Sequence, residues 1–234
     1  MNARLSSDNS KSAFSLIELL VVIAIIGIIG SFAVPAVGNL LKGSSMTQAA
    51  NILTDQCAAA RQISLTRNRS VEVRFYRFWN PENPGEDVKD DLDKSSNFFP
   101  DGAPYRAVQF FEIAEGGIPN PTGKLMRFPD TVVMTPKPAL SSILNLPKSP
   151  PAPNDPDLPR GVGRNYAYAA FRFLPDGATS LPLTGGTSSG KWFITAHLQS
   201  DLPKVTGTTP PPNFFTWMID PVSGSTKVLR PGVK

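Results

Sequence analysis

A single carboxylate, Glu18, stands in "AFSLIELLVVIAIIGIIGSFAVPAV" (13–37), the most apolar stretch of the chain. A carboxylate at the centre of a lipid core costs roughly 2.5–3.5 kcal/mol, so it needs a cation to compensate it. Other residues with reactive side chains are sparse. His197 is the only histidine and Cys57 the only cysteine. An intramolecular disulfide is therefore impossible, a Cys-based metal centre is excluded in practice, and any Ser-His-Asp triad would have to use His197. Nothing around "WFITAHLQS" resembles a nucleophile elbow, and no Walker A loop, G-x-G-x-x-G or H-E-x-x-H motif is present. No catalytic residue is assigned, no metal site, and no cofactor; the reading is not an enzyme.

Two clusters offer other chemistry. "EDVKDDLDK" (86–94) collects Glu86, Asp87, Asp90, Asp91 and Asp93, a set suited to calcium, but the D-x-D-x-D-G spacing is missing and two lysines intervene, so a solvated loop is expected. Arg61, Arg67, Arg69, Arg74 and Arg77 crowd one region, as phosphate contacts to DNA would require. Asp55 and Glu72 lie close by, and the arginines alternate in direction, which weakens that reading.

These residues must be held by a small number of elements. The chain has 234 residues, 41% hydrophobic and 18% charged, with a mild formal charge of +4 that is satisfied by solubility alone. From Leu19 to Leu41 no residue is charged, enough to span about 30 Å of hydrocarbon as a helix. Pro35 is expected to break or bend that helix, because a mid-helix proline forfeits a hydrogen bond. Between 44 and 68 the pattern turns amphipathic: Leu53, Cys57, Ala60 and Ile63 recur at helical spacing, as do Ala49 and Ile52. Cys57 reads as a small core residue.

After "RNR" the period becomes two. In "SVEVRFYRF", Val71, Val73 and Phe75 point one way and Glu72, Arg74 and Tyr76 the other. Further strands are expected at 105–113, 131–135, 166–174, 191–198, 213–219 and 225–229, with His197 on a strand face, a short helical turn in "ALSSILNL", and a terminal hairpin turning at 220–224. "PKSPPAPNDPDLPRGVG" (147–163) reads as a proline-rich loop that cannot join a central sheet. The fold class is α+β: a long N-terminal membrane-spanning and amphipathic α-helix packed on an antiparallel β-sheet or small β-sandwich domain.

The N-terminus admits three readings. A secretory signal would use Arg4 and Lys11 and cut near Ser31-Phe32-Ala33, but its apolar run is too long and holds an acid. A plain membrane anchor leaves Glu18 unexplained. The third begins from the polar leader "MNARLSSDNSKSA" followed directly by "FSLIELLVVIAIIGIIG". This resembles the prepilin signal of type IV pilins and type II secretion pseudopilins.

The resemblance implies cleavage by a prepilin peptidase between Ala13 and Phe14, and N-methylation of Phe14. Ala13 departs from the family's preferred glycine, and Ser15 stands where threonine is common. It also implies that Glu18 pairs with the N-terminus of a neighbouring subunit, which would supply the missing cation. Expected partners are other pilin or pseudopilin subunits, an inner-membrane assembly platform and membrane lipid; DNA is the rival partner, as for a filament-associated DNA-binding minor pilin. The organisation expected is a leader (1–13), a transmembrane and assembly helix (14–43), and a periplasmic or extracellular pilin-like domain (44–234) with its helix at 44–68. The protein would sit first in the bacterial inner membrane and then in a pilus or pseudopilus. "AAARQISLTRNRSVEVRF", "FRFLPDG" and "WMIDPVSGSTKVLRPG" are similar to H-type minor pseudopilins and FimT/FimU-like minor pilins, and to the D type of the Verru_Chthon cassette proteins.

Overall fold

In a computed structural model, the described residues are 15–82, 103–184, 190–205 and 207–231. The acidic cluster at 86–94 and the Ala13–Phe14 junction lie outside them. The chain divides into two compact units, Met1–Leu41 and Lys42–Lys234, and the division falls within the helix α1, Leu16–Arg67.

α1 carries the expected face in the second unit. Met46, Ala49, Ala50, Leu53, Cys57 and Ala60 are all buried, and Ile52 and Ile63 pack against them from its margins. The small side chains at 49, 50, 57 and 60 let the sheet approach closely. α1 ends where Asn68 takes a left-handed φ of 51°. The Arg69 N–H then donates to the carbonyl of Ser64 at 3.3 Å, closing the last turn. Of the break or bend expected at Pro35, a break is not seen: α1 runs through that position. A proline costs its own N–H bond, while the turns on either side can keep theirs.

Among the described residues, ten strands form one sheet. They are β1 (Val71–Arg77), β2 (Tyr105–Ile113), β3 (Pro119–Pro121), β4 (Met126–Arg127), β5 (Val132–Met134), β6 (Lys148–Ser149), β7 (Ala167–Phe173), β8 (Trp192–Leu198), β9 (Phe214–Ile219) and β10 (Thr226–Leu229). The order is β10-β9-β8-β5-β2-β1-β7-β6, neighbouring strands run antiparallel, and β3 and β4 also pair antiparallel with β2. Seven of the ten match the expected strands. The other three are two or three residues long, too short for a period to show. The return path beside β2 is cut into pieces because Pro119, Pro121 and Pro129 cannot donate to a ladder.

β1 lies between β2 and β7 and alternates as its sequence requires. Val71, Val73 and Phe75 enter the main core with α1, together with Phe171, Trp217 and Phe215. Glu72, Arg74 and Tyr76 point the other way, as read, and that face is covered too, since all seven residues of β1 are buried. That second face holds its own cluster, built on Tyr76, Phe78, Phe111, Tyr166 and Tyr168 and covered by Leu158 and Val162 of the proline-rich loop. The loop stays out of the centre of the sheet, as read, and contributes only the edge strand β6. A short 3-10 turn at Ile143–Asn145 meets the helical turn expected there.

The two ends of the strand order are brought together by turns. Thr179, just after β7, donates from its N–H (2.9 Å) and its hydroxyl (3.0 Å) to the carbonyl of Pro221, in the β9–β10 turn. Arg61 of α1 donates from Nε to the Gly177 carbonyl at 3.2 Å. Gly224 is required there: a Cβ would lie 2.3 Å from the Gly177 oxygen, and the backbone sits at φ +65°.

Candidate functional site

The first candidate is the start of α1. Ser15 precedes its first turn and Glu18 lies three positions on, the S-x-x-E arrangement of a capping box. The Ser15 backbone N–H donates to Glu18 Oε2 at 3.0 Å, and the Ile17 N–H donates to Ser15 Oγ at 3.4 Å. Two donors that the helix cannot satisfy internally thus find oxygen acceptors. Negative charge also suits the positive end of the helix dipole. The capping role of Ser15 and Glu18 was missed in the sequence, although the spacing signals it.

From Leu16 to Ile29 every large apolar side chain of α1 is exposed. An apolar surface all around a helix calls for cover by lipid or by other helices. Among the described residues, no helix is long and apolar enough to cross a membrane. The side chains of residues 32–37 fall outside that description, so the described run stops short of the uncharged stretch that ends at Leu41.

The second candidate, the five arginines, is dispersed. Arg74 is only 2% exposed; it donates from Nε to Glu72 at 2.7 Å and from Nη1 to Asp155 at 2.8 Å. Its guanidinium carbon lies 4.2 Å from the Phe111 ring centroid and 4.3 Å from that of Tyr168, cation–π distances. Burial alone would lower this guanidinium's pKa, but the bonds it donates to Asp155 and Glu72 outweigh it and hold the group well above its ordinary value. Arg77 is buried as well. Arg67 and Arg69 both pair with Glu112, and Arg61 is engaged at Gly177. Arg74 and Arg77 are therefore withdrawn from any phosphate, while Arg61, Arg67 and Arg69 each hold a partner on the protein itself.

The remaining reactive side chains are structural. His197 is fully buried on β8, its Nδ1–H donating to the Leu198 carbonyl at 2.8 Å. Burial lowers its pKa, so the imidazole is held neutral. Cys57 is buried in the core, and burial pushes its thiol far up. Among the described residues no group of three or more His, Cys, Asp or Glu side chains could hold a metal ion.

Residues 8–34 match the family model described as the prokaryotic N-terminal methylation motif. The chain thus carries the N-terminal methylation motif of the type IV pilins and pseudopilins, whose members are structural subunits, on a helix packed against a large antiparallel sheet. A solved structure, the minor pseudopilin EpsH from the Type 2 Secretion System of Vibrio cholerae, is similar at 9% sequence identity with a TM-score of 0.41, covering 80% of this chain and 98% of that one. No curated protein matches the chain.

Proposed function

We propose that the chain is a non-enzymatic minor pilin or pseudopilin subunit. A prepilin peptidase cuts it between Ala13 and Phe14, Phe14 is N-methylated, and the N-terminal helix assembles with those of other subunits in a type IV pilus or type II secretion pseudopilus. The observation that carries this reading is the methylation motif over residues 8–34, with Glu18 at the start of α1. The chemistry is consistent: cleavage creates a cation in an apolar phase, and Glu18 is the one carboxylate of that stretch able to compensate it. The exposed apolar surface of residues 16–29 is what lipid would cover before assembly and neighbouring helices afterwards. In this reading the subunit is anchored in the bacterial inner membrane with residues 44–234 in the periplasm, and an assembly platform draws it into the filament.

Mass spectrometry of the protein extracted from membranes tests this directly. The mature chain should begin at Phe14, carry one added methyl group and lack residues 1–13. Replacing Ala13 by glycine, the residue the family prefers there, should leave processing equal or faster. An intact leader, or a start after Ala33, would overturn the assignment.

A further inference from the structure

Two stretches of the second unit carry cations and no acid. Residues 42–54 hold Lys42, residues 221–234 hold Lys227, Arg230 and Lys234, and neither stretch contains Asp or Glu. Lys42 is the first charged residue after Glu18 and follows directly on the uncharged run that ends at Leu41. The fold brings the two stretches together. β10 closes one end of the strand order, with β9 as its neighbour. The turn before it lies against α1 at Gly224, where an added Cβ would be 3.0 Å from Arg61 Nε. Just past its other end, Arg230 Nη1 donates to Thr47 Oγ1 at 3.1 Å. β10 therefore runs back along α1 toward Lys42. The Thr47 hydroxyl in turn donates to the Gly43 carbonyl at 3.0 Å, which ties the Arg230 guanidinium to the turn of α1 that begins at Lys42.

The side chains on this edge divide by face. Val228 packs against the core, while Lys227 and Leu229 are exposed, as are Lys42 and Arg230. Among the described residues, Lys42, Lys227 and Arg230 form no ion pair. Long cationic side chains near the end of an apolar helix lay their stems on apolar surface and hold their charge at headgroup level. An exposed leucine among them suits the same boundary, where apolar and charged groups are both accommodated.

We propose, on the reading that α1 is anchored in a membrane, that Lys42, Lys227 and Arg230 form a binding surface for the phosphates of acidic phospholipids. Each cation close to an acidic bilayer strengthens the hold by about fivefold. The attraction is screened by salt. β10 gains most, because a short strand at the end of a sheet opens easily and a ligand that binds only its closed form slows that opening. The contact keeps this edge of the sheet at the bilayer surface until the subunit is drawn out.

Hydrogen exchange on the full chain in lipid nanodiscs tests this, comparing phosphatidylcholine alone with equal parts phosphatidylcholine and phosphatidylglycerol. The acidic discs should slow exchange over residues 226–231 by about fivefold or more, with β1 and β7 unchanged, and high salt should remove the difference. The double variant Lys42→Gln, Arg230→Gln should lose the slowing, while Lys148→Gln, on the opposite edge strand β6, should keep it. Inorganic phosphate added to the phosphatidylcholine discs should not reproduce it. A chain that enters the discs and exchanges alike in both lipids overturns the lipid surface alone. So does slowing that survives in the double variant or is lost equally in Lys148→Gln. Slowing by inorganic phosphate would assign the site to a free anion and overturn the lipid as its ligand. A chain that does not enter the discs overturns the anchored reading, and this surface with it.

Discussion

The carboxylate of Glu18 accepts the backbone N–H of Ser15 at 3.0 Å, so the acid proposed to pair with a neighbouring subunit also caps its own helix. The two roles separate by substitution. Glu18→Gln keeps an acceptor for Ser15 but has no charge; Glu18→Ala has neither. Both variants should enter the membrane and be cut normally. Both should fail to enter sheared filaments, because leaving one member of a buried pair uncompensated costs about 3–5 kcal/mol. Only the alanine variant should also fray at Ser15 in amide exchange. Normal amounts of Glu18→Gln in the filament fraction would end the pairing account.

Arg74 is the costliest charge to remove in the globular unit. Arg74→Ala leaves Asp155 without its guanidinium and opens space between Phe111 and Tyr168. Loss of about 3–5 kcal/mol in denaturant unfolding is expected, with Arg67→Ala as the surface reference at under about 1 kcal/mol. Similar losses for the two variants would mean that Arg74 is not the buried hub described above.

His197 gives a pH dependence of definite sign. Its folded pKa lies below the ordinary 6.5, chiefly through burial, with Lys137 lowering it further and Asp201 and the Leu198 carbonyl opposing. Among the described residues its buried Nε2 has no hydrogen-bond partner, so a proton there finds no acceptor. A depressed folded pKa means that the neutral ring's stability is fully present above the unfolded pKa and is lost as pH falls through the folded one. Melting temperature should therefore fall between neutral pH and about pH 5, and the part of that fall due to the ring should vanish in His197→Phe. An identical slope in the variant would assign the acid sensitivity elsewhere.

Cys57 should resist thiol reagents in the native protein, being buried with its thiol held protonated. Maleimide labelling should appear only as denaturant opens the core, in step with the loss of tertiary signal. Fast labelling under native conditions would show that α1 separates from the sheet.

Deleting residues 1–43 should leave a folded, monomeric, soluble domain. The deletion removes the exposed apolar residues 16–29 and keeps the buried face from Met46 onward. Sedimentation and circular dichroism provide the check, and aggregation or a lost sheet signal would place the division elsewhere.

Period and punctuation made most of this fold readable. The repeat at Ala49, Leu53, Cys57 and Ala60 located the packed face of α1, and the alternation Val71, Val73, Phe75 located the core side of β1. Asp176-Gly177 and Asp220–Gly224 marked turns that the structure contains. What stayed hidden was what covers the polar side of β1. Alternation distinguishes the two faces of a strand, but it cannot say that a loop eighty positions downstream will bury Glu72, Arg74 and Tyr76. The five arginines illustrate the same limit, since closeness in sequence put Arg74 and Arg67 in one cluster while burial separates them. At the N-terminus, the S-x-x-E spacing of a capping box was present but overshadowed by the apolar run that follows it.

The contact between the turns at Gly177 and Gly224 also bears on how the protein is made. Arg61 and Gly177 are 116 positions apart, and Thr47 and Arg230, which share a hydrogen bond, are 183 apart. Contacts so distant along the chain form late and slowly. Trp217 and Phe215, both fully enclosed, arrive with the same late segment. Throughout synthesis, then, the cover that strands β1, β2 and β7 give the small-residue face of α1 stays incomplete until residues 214–229 arrive, and this terminal hairpin acts as the clasp of the domain. A chain stopped just before it would have most of its strands and no way to shut, which makes it a target for quality-control proteases rather than a shorter working subunit.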